Sequence, residues 1–402
     1  MSNLGVLYKY ELKKLFKRRI VWVTLIIAFT ASVLSMILNL CGYAYVDGVK
    51  LESNYDAFLV DKGYQMQLDG REIDQTLLEE MLNAYSYIPD TERKYSTTEE
   101  YQKYARPYSA IFNFVRDMTQ MTVSDTIRWK PDTDDLYNKR RNLLESNWDS
   151  EGLSEGEKQF WLQKEAKIST PYVYRYTEGY YMILISVATN GLLTLMSVSI
   201  CLANIFSEEH SKRTDQLILS SKNGKTAAYW SKLLAGISFS VGISLLLLIS
   251  TSAIALAMYG IQGFDAMFQL IFAWCSYPLT TGQAVLIIYV CVIATAAVFG
   301  SFVMLLSELL HSNIAALSIS SATLIASMIL YIPDQYRILA QLWCWLPSGF
   351  LAQWNIFDCR LLSIFGHYFT SWQVVPIIYM VATVIIAFIG KPIYKRFQVS
   401  GR

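Results

Sequence analysis

The chain has 402 residues, of which 53% are hydrophobic, and its 34 Lys and Arg almost balance its 33 Asp and Glu, for a net charge of +1. The apolar content is too high for an ordinary soluble domain of this size, and the near-neutral charge gives no sign of a nucleic-acid partner. The apolar residues come in uncharged blocks, each long enough for the roughly 20-residue helix that crosses a bilayer core. We therefore predict an all-α integral membrane protein with six transmembrane helices, at 20–42, 180–206, 233–259, 283–306, 313–332 and 373–390.

Residues 1–19 precede the first span and are predicted to form a short cytoplasmic interfacial helix. Lys9, Lys13 and Lys17 recur every four residues on one face, which leaves apolar side chains such as Leu12 for the membrane surface. A secretory signal peptide is excluded, because the apolar run that follows exceeds the usual ~7–15 residues and no small-residue cleavage pattern follows it.

The orientation of the spans follows from Lys and Arg in the short flanking segments. Residues 1–19 carry six, 207–232 carry five and 391–402 carry four, whereas 260–282 carry none and 333–372 carry two. Because basic residues concentrate on the cytoplasmic side, both termini, including the 391–402 tail, and the 207–232 loop are predicted to be cytoplasmic. We predict a multi-pass protein of a bacterial cell membrane.

The segment 46–178, between the first two spans, is predicted to be an extracellular domain. It has 17 Lys and Arg against 25 Asp and Glu, a surplus that favours cationic ligands such as basic peptides, although solvated carboxylates also occur on any soluble surface. Local signals predict a mainly helical domain with one small hairpin. They are capping-box spacings at Thr97 with Glu100 and at Ser154 with Glu157, an acidic helix start near 132–135, and a turn at Asp69-Gly70.

The segment 333–372 is predicted to be a second extracellular region, rich in Trp and Phe and broken by Pro347 and Gly349. Aromatic rings prefer the membrane interface, and irregular backbone needs protein cover at membrane depth. The composition suits a lid over an exit path or an aromatic belt at the interface, and both interpretations stay open. A disulfide between Cys344 and Cys359 is also open.

The loop 207–232 contains "NGKT" at 223–226, which is similar to the end of a phosphate-binding loop. Such a loop needs a glycine five residues before Gly224, where backbone amides wrap the phosphates, but Leu219 stands there. The nucleotide-binding interpretation therefore fails, and a cytoplasmic connection with a helical pattern remains.

The order of residues in this loop resembles the cytoplasmic loop of ATP-binding-cassette (ABC) transporter permeases, in the type-two exporter permease family. That family has acidic residues, a Thr step, a Leu-rich stretch, a basic turn and a Lys that opens the next span, here Lys232. Arg213 and the Ser220-Ser221 pair depart from its commoner Gly and Pro. The resemblance implies a coupling helix that docks on a separate ATPase subunit. The residues expected to couple are Glu208, Glu209, Lys212, Arg213, Thr214, Leu217, Leu219, Ser221 and Lys222.

The resemblance also implies partners and a transport path. ATP and Mg²⁺ would bind the partner ATPase and no cofactor would bind this chain. A second permease subunit, identical or related, would complete the path within membrane lipid, and the substrate would be a peptide antibiotic, a lipid or another small molecule. Polar candidates for the path, each equally suited to helix packing, are Asn39, Asn190, Thr194, Ser318 and Ser321.

Other classes of function are less consistent with the sequence. The six predicted spans contain no central ionisable residue of the kind that gradient-driven transporters use. His210, His311 and His367 fall in separate segments, so no catalytic or metal-binding residues are assigned and the chain is not predicted to be an enzyme. The alternative is a membrane-bound sensor with an extracellular ligand-binding domain.

Overall fold

The computed structural model describes residues 3–46, 49–88, 95–130, 132–211 and 226–396 of the chain. This part is mostly helical, with two short antiparallel ribbons, β1–β2 and β3–β4. The strands are β1 Tyr43–Val46, β2 Val49–Ser53, β3 Leu362–Ile364 and β4 His367–Phe369. The α-helices are α1 Asn3–Phe16, α2 Arg19–Ile37, α3 Asn54–Leu68, α4 Gln75–Tyr85, α5 Ser109–Thr119, α6 Val123–Arg128, α7 Thr133–Ser150, α8 Glu155–Glu165, α9 Glu178–Ile185, α10 Val187–Leu202, α11 Ser207–Ser211, α12 Ala227–Tyr259, α13 Thr281–Leu310, α14 Asn313–Ile329, α15 Arg337–Cys344, α16 Pro347–Phe350, α17 Gln353–Ile356 and α18 Ser371–Arg396.

In the part of the chain that the structure describes, five helical segments are long and apolar enough to cross a membrane, and each coincides with a predicted span. The sixth predicted span corresponds to α14, which is apolar but has only 17 residues, so its length does not confirm a crossing. The helix α1 lies within the predicted N-terminal helix. The five segments are Arg19–Leu40, Glu178–Glu209, Ala227–Tyr259, Thr281–Leu310 and Ser371–Lys395.

The chain divides into two compact units. The first unit comprises Met1–Val33, Ile185–Ala253 and Ile287–Arg402, and it contains most of the apolar helices. The second unit comprises Leu34–Leu184 and Ile254–Leu286. The predicted extracellular domain, 46–178, lies within the second unit. That unit also includes the 260–282 connection between α12 and α13, which was not predicted to belong to the domain.

In the first unit, α12 and α13 pack closely through glycine. A side chain at Gly300 of α13 would place its Cβ 2.2 Å from Oγ of Ser240 on α12, and one at Gly236 of α12 would come within 2.2 Å of the Met304 sulfur. Small residues at such positions let two helix backbones approach, which is how apolar helices associate without a strong hydrophobic drive.

Several helices of the second unit begin at residues whose side chains satisfy the free amides of the first turn. Ser154 and Glu157 form the predicted capping box, in which the Ser154 amide donates to the Glu157 carboxylate at 2.9 Å. The acidic start of α7 is also confirmed, with Asp132 as its cap. Beside the predicted Thr97–Glu100 pair, the hydroxyl of Thr98 accepts from the Tyr101 amide at 3.2 Å.

The predicted turn at Asp69-Gly70 is present, but it does not join two neighbouring strands in a hairpin. The helix α3 ends at Leu68, Gly70 takes a positive φ of 87°, and its amide donates to the Tyr174 carbonyl at 2.8 Å. The chain after this turn pairs with residues about a hundred positions away instead of with its neighbours. The hairpin near the start of this unit is β1–β2.

The hydrophobic core of the second unit draws on the connection between α12 and α13. Ala273 is buried in the same cluster as Phe112 and Leu136, and Met267 and Trp274 pack against that cluster. The short connection at 260–282 is therefore part of the same folded body as the helices of the second unit.

Arg140 of α7 fixes this connection through its backbone. Its guanidinium Nε donates to the carbonyl of Ala273 at 2.8 Å and Nη2 donates to the carbonyl of Cys275 at 3.0 Å. The same guanidinium pairs with Glu165, and only 3% of the Arg140 side chain is exposed. A planar guanidinium has several donors in fixed directions, so one side chain can hold two carbonyls and one carboxylate together.

Cys344 and Cys359 carry thiols in the structure and are not joined by a disulfide. The sulfur of Cys344 accepts from Nη2 of Arg360 at 3.8 Å.

Candidate functional site

The two described ends of the 207–232 loop are joined by a buried ion pair. Nζ of Lys232, near the start of α12, lies 2.5 Å from Oε1 of Glu209 on α11. Lys232 is 0% exposed and Glu209 is 5% exposed. The ammonium also donates to the Ile205 carbonyl at 3.3 Å and lies 5.3 Å from the centre of the Phe206 ring. A charge removed from water needs such partners, because its desolvation is otherwise strongly unfavourable.

The N-terminal segment contributes two further cations to this site, one on α1 and one between α1 and α2. Nζ of Lys14 lies 3.3 Å from the same Glu209 oxygen. Arg18, which immediately precedes α2, pairs with Glu208 and donates to the side-chain oxygen of Asn204. The two adjacent glutamates are thus held by different cations, and α1, α11 and α12 meet at one polar cluster.

A serine hydroxyl fixes the interruption between α10 and α11. The backbone amides of Phe206 and Ser207 both donate to Oγ of Ser307 on α13, each at 3.2 Å. The first amides of a helix have no partner within it, so this hydroxyl supplies an acceptor where α11 begins. The entry to the loop therefore has a defined geometry relative to α13.

The predicted coupling residues fall into two groups. Glu208 and Glu209 are described, and both of them pair with basic residues of the same chain. Glu209 is an internal anchor of the loop, and docking of the loop on another protein stays a prediction. The other residues lie outside the described part of the chain: Lys212, Arg213, Thr214, Leu217, Leu219, Ser221 and Lys222.

Two of the residues predicted for a transport path lie together in the first unit. The hydroxyl of Ser32 donates to Oδ1 of Asn190 at 2.5 Å and lies 2.6 Å from the hydroxyl of Thr251. Thr194 donates to the Asn190 carbonyl at 2.8 Å, one turn along α10. Asn190 and Thr194 are each 1% exposed, so these hydrogen bonds connect α2, α10 and α12 inside the packed helices.

The remaining candidates lie elsewhere. Asn39 belongs to the second unit and is exposed. On α14, Ser318 is exposed and Ser321 is half-buried, whereas the intervening Ser320 is buried and accepts a hydrogen bond from Ser199 at 2.6 Å. The role of these residues in transport stays a prediction.

Several residues of the polar cluster were not identified as a site from the sequence. From the sequence, Lys14 and Arg18 are predicted only to orient the first span, and no sequence pattern marks Asn204 or Ser307 as part of a site. The signal that was present is a lysine at the start of an otherwise apolar helix, where Lys232 needs a carboxylate partner. The cluster holds fixed charges that position chain segments. Within the described ranges, no group of three His, Cys, Asp or Glu side chains is placed to hold a metal ion.

No family model matches this chain, and no curated protein matches it significantly.

Proposed function

We propose that this chain is the membrane permease subunit of an ATP-driven ABC exporter, coupled to separate ATPase subunits through the 207–232 loop. The observation that carries the proposal is the buried ion pair between Glu209 and Lys232, which ties together the two described ends of the loop. A loop that transmits force from a soluble partner to membrane helices needs stiff attachments at both ends.

The five apolar helical segments supply the membrane-spanning part that such a subunit requires. One of them ends at Glu209 and another begins at Ala227, so these two flank the loop directly. The contacts of Lys14 and Arg18 would pass a displacement of the loop to α1 as well. The substrate, which the resemblance limits only to a peptide, a lipid or a small molecule, would pass between this chain and a second permease.

Co-expression of the full chain with candidate ATPase subunits tests the proposal. In the purified complex, Leu217→Asp places a charge on the apolar stretch of the loop and is expected to reduce capture of the ATPase at least tenfold. The matched control is Leu59→Asp, which makes the same change at an exposed leucine of α3 and should leave capture and ATP turnover at the wild-type level.

A second variant separates docking from coupling. Glu209→Gln keeps the shape of the side chain but removes the charge that Lys232 and Lys14 share. We expect the ATPase still to bind, with its turnover no longer dependent on the permease. If the wild type captures no ATPase, or if Leu217→Asp binds and hydrolyses normally, the proposal is wrong and the sensor alternative moves forward.

A further inference from the structure

An open cleft lies in the second unit beside the C-terminal half of α7. Its volume is about 430 Å³, which is within the ~300–1,000 Å³ range of small-molecule sites. The lining residues are Gln120, Leu143, Ser146, Asn147, Ser150 and Trp274. The four that belong to α7 stand at positions i, i+3, i+4 and i+7, so they share one face of the helix and cover about 10 Å of its length. One wall of the cleft is therefore a regular helix face.

The lining of the cleft is polar and, among the residues that the structure describes, carries no charge. The nearby Glu145 and Asp149 of α7 stand on a different face of the helix, at 3.6 residues per turn. A charged ligand needs an opposite charge to offset its lost hydration, and the lining supplies none. The ligand that these side chains favour is therefore neutral.

Neutral hydrogen-bonding groups line the cleft instead. Gln120, Ser146 and Asn147 are exposed, and each of the two amides has two donor hydrogens and one acceptor oxygen. The Ser150 hydroxyl donates to the Asn147 carbonyl at 2.8 Å, which leaves its own oxygen as an acceptor. Donors and acceptors side by side match a ligand whose own groups both donate and accept, as hydroxyl groups do.

Trp274 supplies an aromatic surface that is held in place from several directions. Its indole Nε1 donates to the carbonyl of Asp117 at 2.8 Å, and the carbonyls of the flanking Ala273 and Cys275 accept from Arg140. The ring is half-buried and packs against the hydrophobic cluster of the unit. Because the N–H group is already bonded, the ring offers the cleft an apolar surface in a fixed position. A ligand for this cleft needs an apolar face as well as polar edges.

Gln120 occupies a backbone position that favours glycine. It ends α5 in the left-handed region, with φ of 54°, and its amide donates to the carbonyl of Arg116 at 2.7 Å. Glycine is the preferred residue at such a helix end, because a Cβ is unfavourable in this conformation. The backbone therefore gives no reason for glutamine, whereas its side-chain amide lines the cleft. Unfavourable conformations of this kind cluster at binding sites.

We propose that this cleft binds a small neutral saccharide, with one sugar ring against Trp274 and its hydroxyl groups hydrogen-bonded to the amides of Gln120 and Asn147. A sugar ring has C–H groups on its faces and neutral hydroxyl groups around its edge, and the lining has a partner for each. A basic peptide, which the acidic surplus of the domain favours, finds no carboxylate among the lining residues. The inference does not depend on the proposed exporter function, because it uses the second unit alone.

Binding of the full chain to an array of immobilised ligands tests the proposal. The wild type, in lipid nanodiscs and with a fluorescent tag, is applied to neutral oligosaccharides, acidic oligosaccharides and basic peptides, with empty nanodiscs as the blank. We expect retention on one or more neutral saccharides only. Trp274→Leu and Gln120→Gly should each reduce that retention at least tenfold. The matched control is Trp129→Leu, at another half-buried tryptophan of the second unit, which should bind as the wild type does.

Gln120→Gly is the sharper variant, because glycine suits the left-handed backbone and the midpoint of thermal denaturation should not fall. It removes the amide from the cleft without a cost to the fold. Retention on no saccharide, or only on acidic saccharides or basic peptides, would overturn the proposal. Retention on neutral saccharides that Gln120→Gly leaves unchanged would also overturn it, since the binding site would then lie elsewhere. The same variant should capture an ATPase subunit as well as the wild type does, so the two proposals fail separately.

Discussion

Lys232 in the first unit and Arg140 in the second are both deeply buried cations, and they hold their surroundings in different ways. Lys232 in the first unit contacts the Glu209 carboxylate on α11 and one carbonyl, that of Ile205, in the short turn before α11. Arg140 in the second unit contacts one carboxylate and two carbonyls of an irregular connection. Helices need few external hydrogen bonds, whereas irregular backbone needs many, and the side chain at each site matches that demand.

The comparison shows that the type of cation matches the backbone around it. An ammonium lies where two helices meet, and a guanidinium lies where the backbone is irregular. An ammonium is a compact point charge without fixed donor directions, and it suits the pairing of α11 with α12. A guanidinium has a planar set of donors, and it suits two carbonyls two residues apart in the 260–282 connection. Two predictions test this difference and a third concerns an exposed ion pair of the second unit, and they run from the largest expected effect to the smallest.

The largest effect is expected from Lys232→Met, which removes the ammonium but keeps a long apolar side chain. Glu209 then stays buried with only Lys14 opposite it, and loss of one partner of a buried ion pair costs about 3 kcal/mol or more. Thermal denaturation of the purified full chain should show a clearly lower midpoint than wild type. Lys9→Met, at an exposed lysine of α1, should leave the midpoint unchanged. Equal midpoints for the two variants would show that the pair contributes little to stability.

A smaller effect is expected from Arg140→Lys, which keeps the charge near Glu165 but cannot reach both carbonyls. The loss of a hydrogen bond from a charged donor costs about 2 kcal/mol. Hydrogen exchange of the backbone amides in 266–280 should become faster, while exchange in α11 and α12 should not change. The control is Arg141→Lys, since the neighbouring arginine is exposed. Unchanged exchange in the connection would mean that the hydrophobic cluster alone holds it.

The smallest effect is expected from protonation of Glu80, in the second unit, at low pH. A hydrogen bond from Arg71, the largest contribution, lowers the pKa of Glu80 below its usual value. A lowered pKa in the folded state adds stability above the unfolded pKa, and that stability is lost as the pH falls through the folded pKa. Because both side chains are more than a third exposed, the effect should stay below about 1 kcal/mol.

The check for this pair is the pH dependence of unfolding between about pH 5 and pH 3. Arg71→Gln should lose less stability on acidification than wild type, because its Glu80 is no longer held in the charged form by a cation. Arg141→Gln serves as the control and should follow the wild type. Parallel curves for all three proteins would contradict a role for the Arg71–Glu80 pair.

The sequence predicted the features that depend on neighbouring residues. Continuous apolar runs located the five confirmed helical segments, and the spacing of Ser154 and Glu157 located a helix start. The turn at Asp69-Gly70 was also local and was predicted, but its partner at Tyr174 is about a hundred positions away and was not.

The features that could not be predicted from the sequence depend on contacts between residues far apart in the chain. Every residue has a carbonyl, so nothing in the sequence marks Ala273 and Cys275 as acceptors for Arg140, which lies more than 130 positions earlier. In the same way, Glu209 stands in the sequence at the start of a basic loop, and such a position is typical of a solvated surface. Only the fold shows that Glu209 is buried against Lys232.

The close packing of α12 against α13 has a consequence for the recognition of relatives of this chain. Lys232, Gly236 and Ser240 follow one another at intervals of four residues on α12, and Gly300 and Met304 repeat that interval on α13. Each is constrained by a physical contact on one helix face and not by the overall composition of the span. Among divergent membrane proteins, whose apolar segments all look alike, this spaced pattern gives a specific signature to search for.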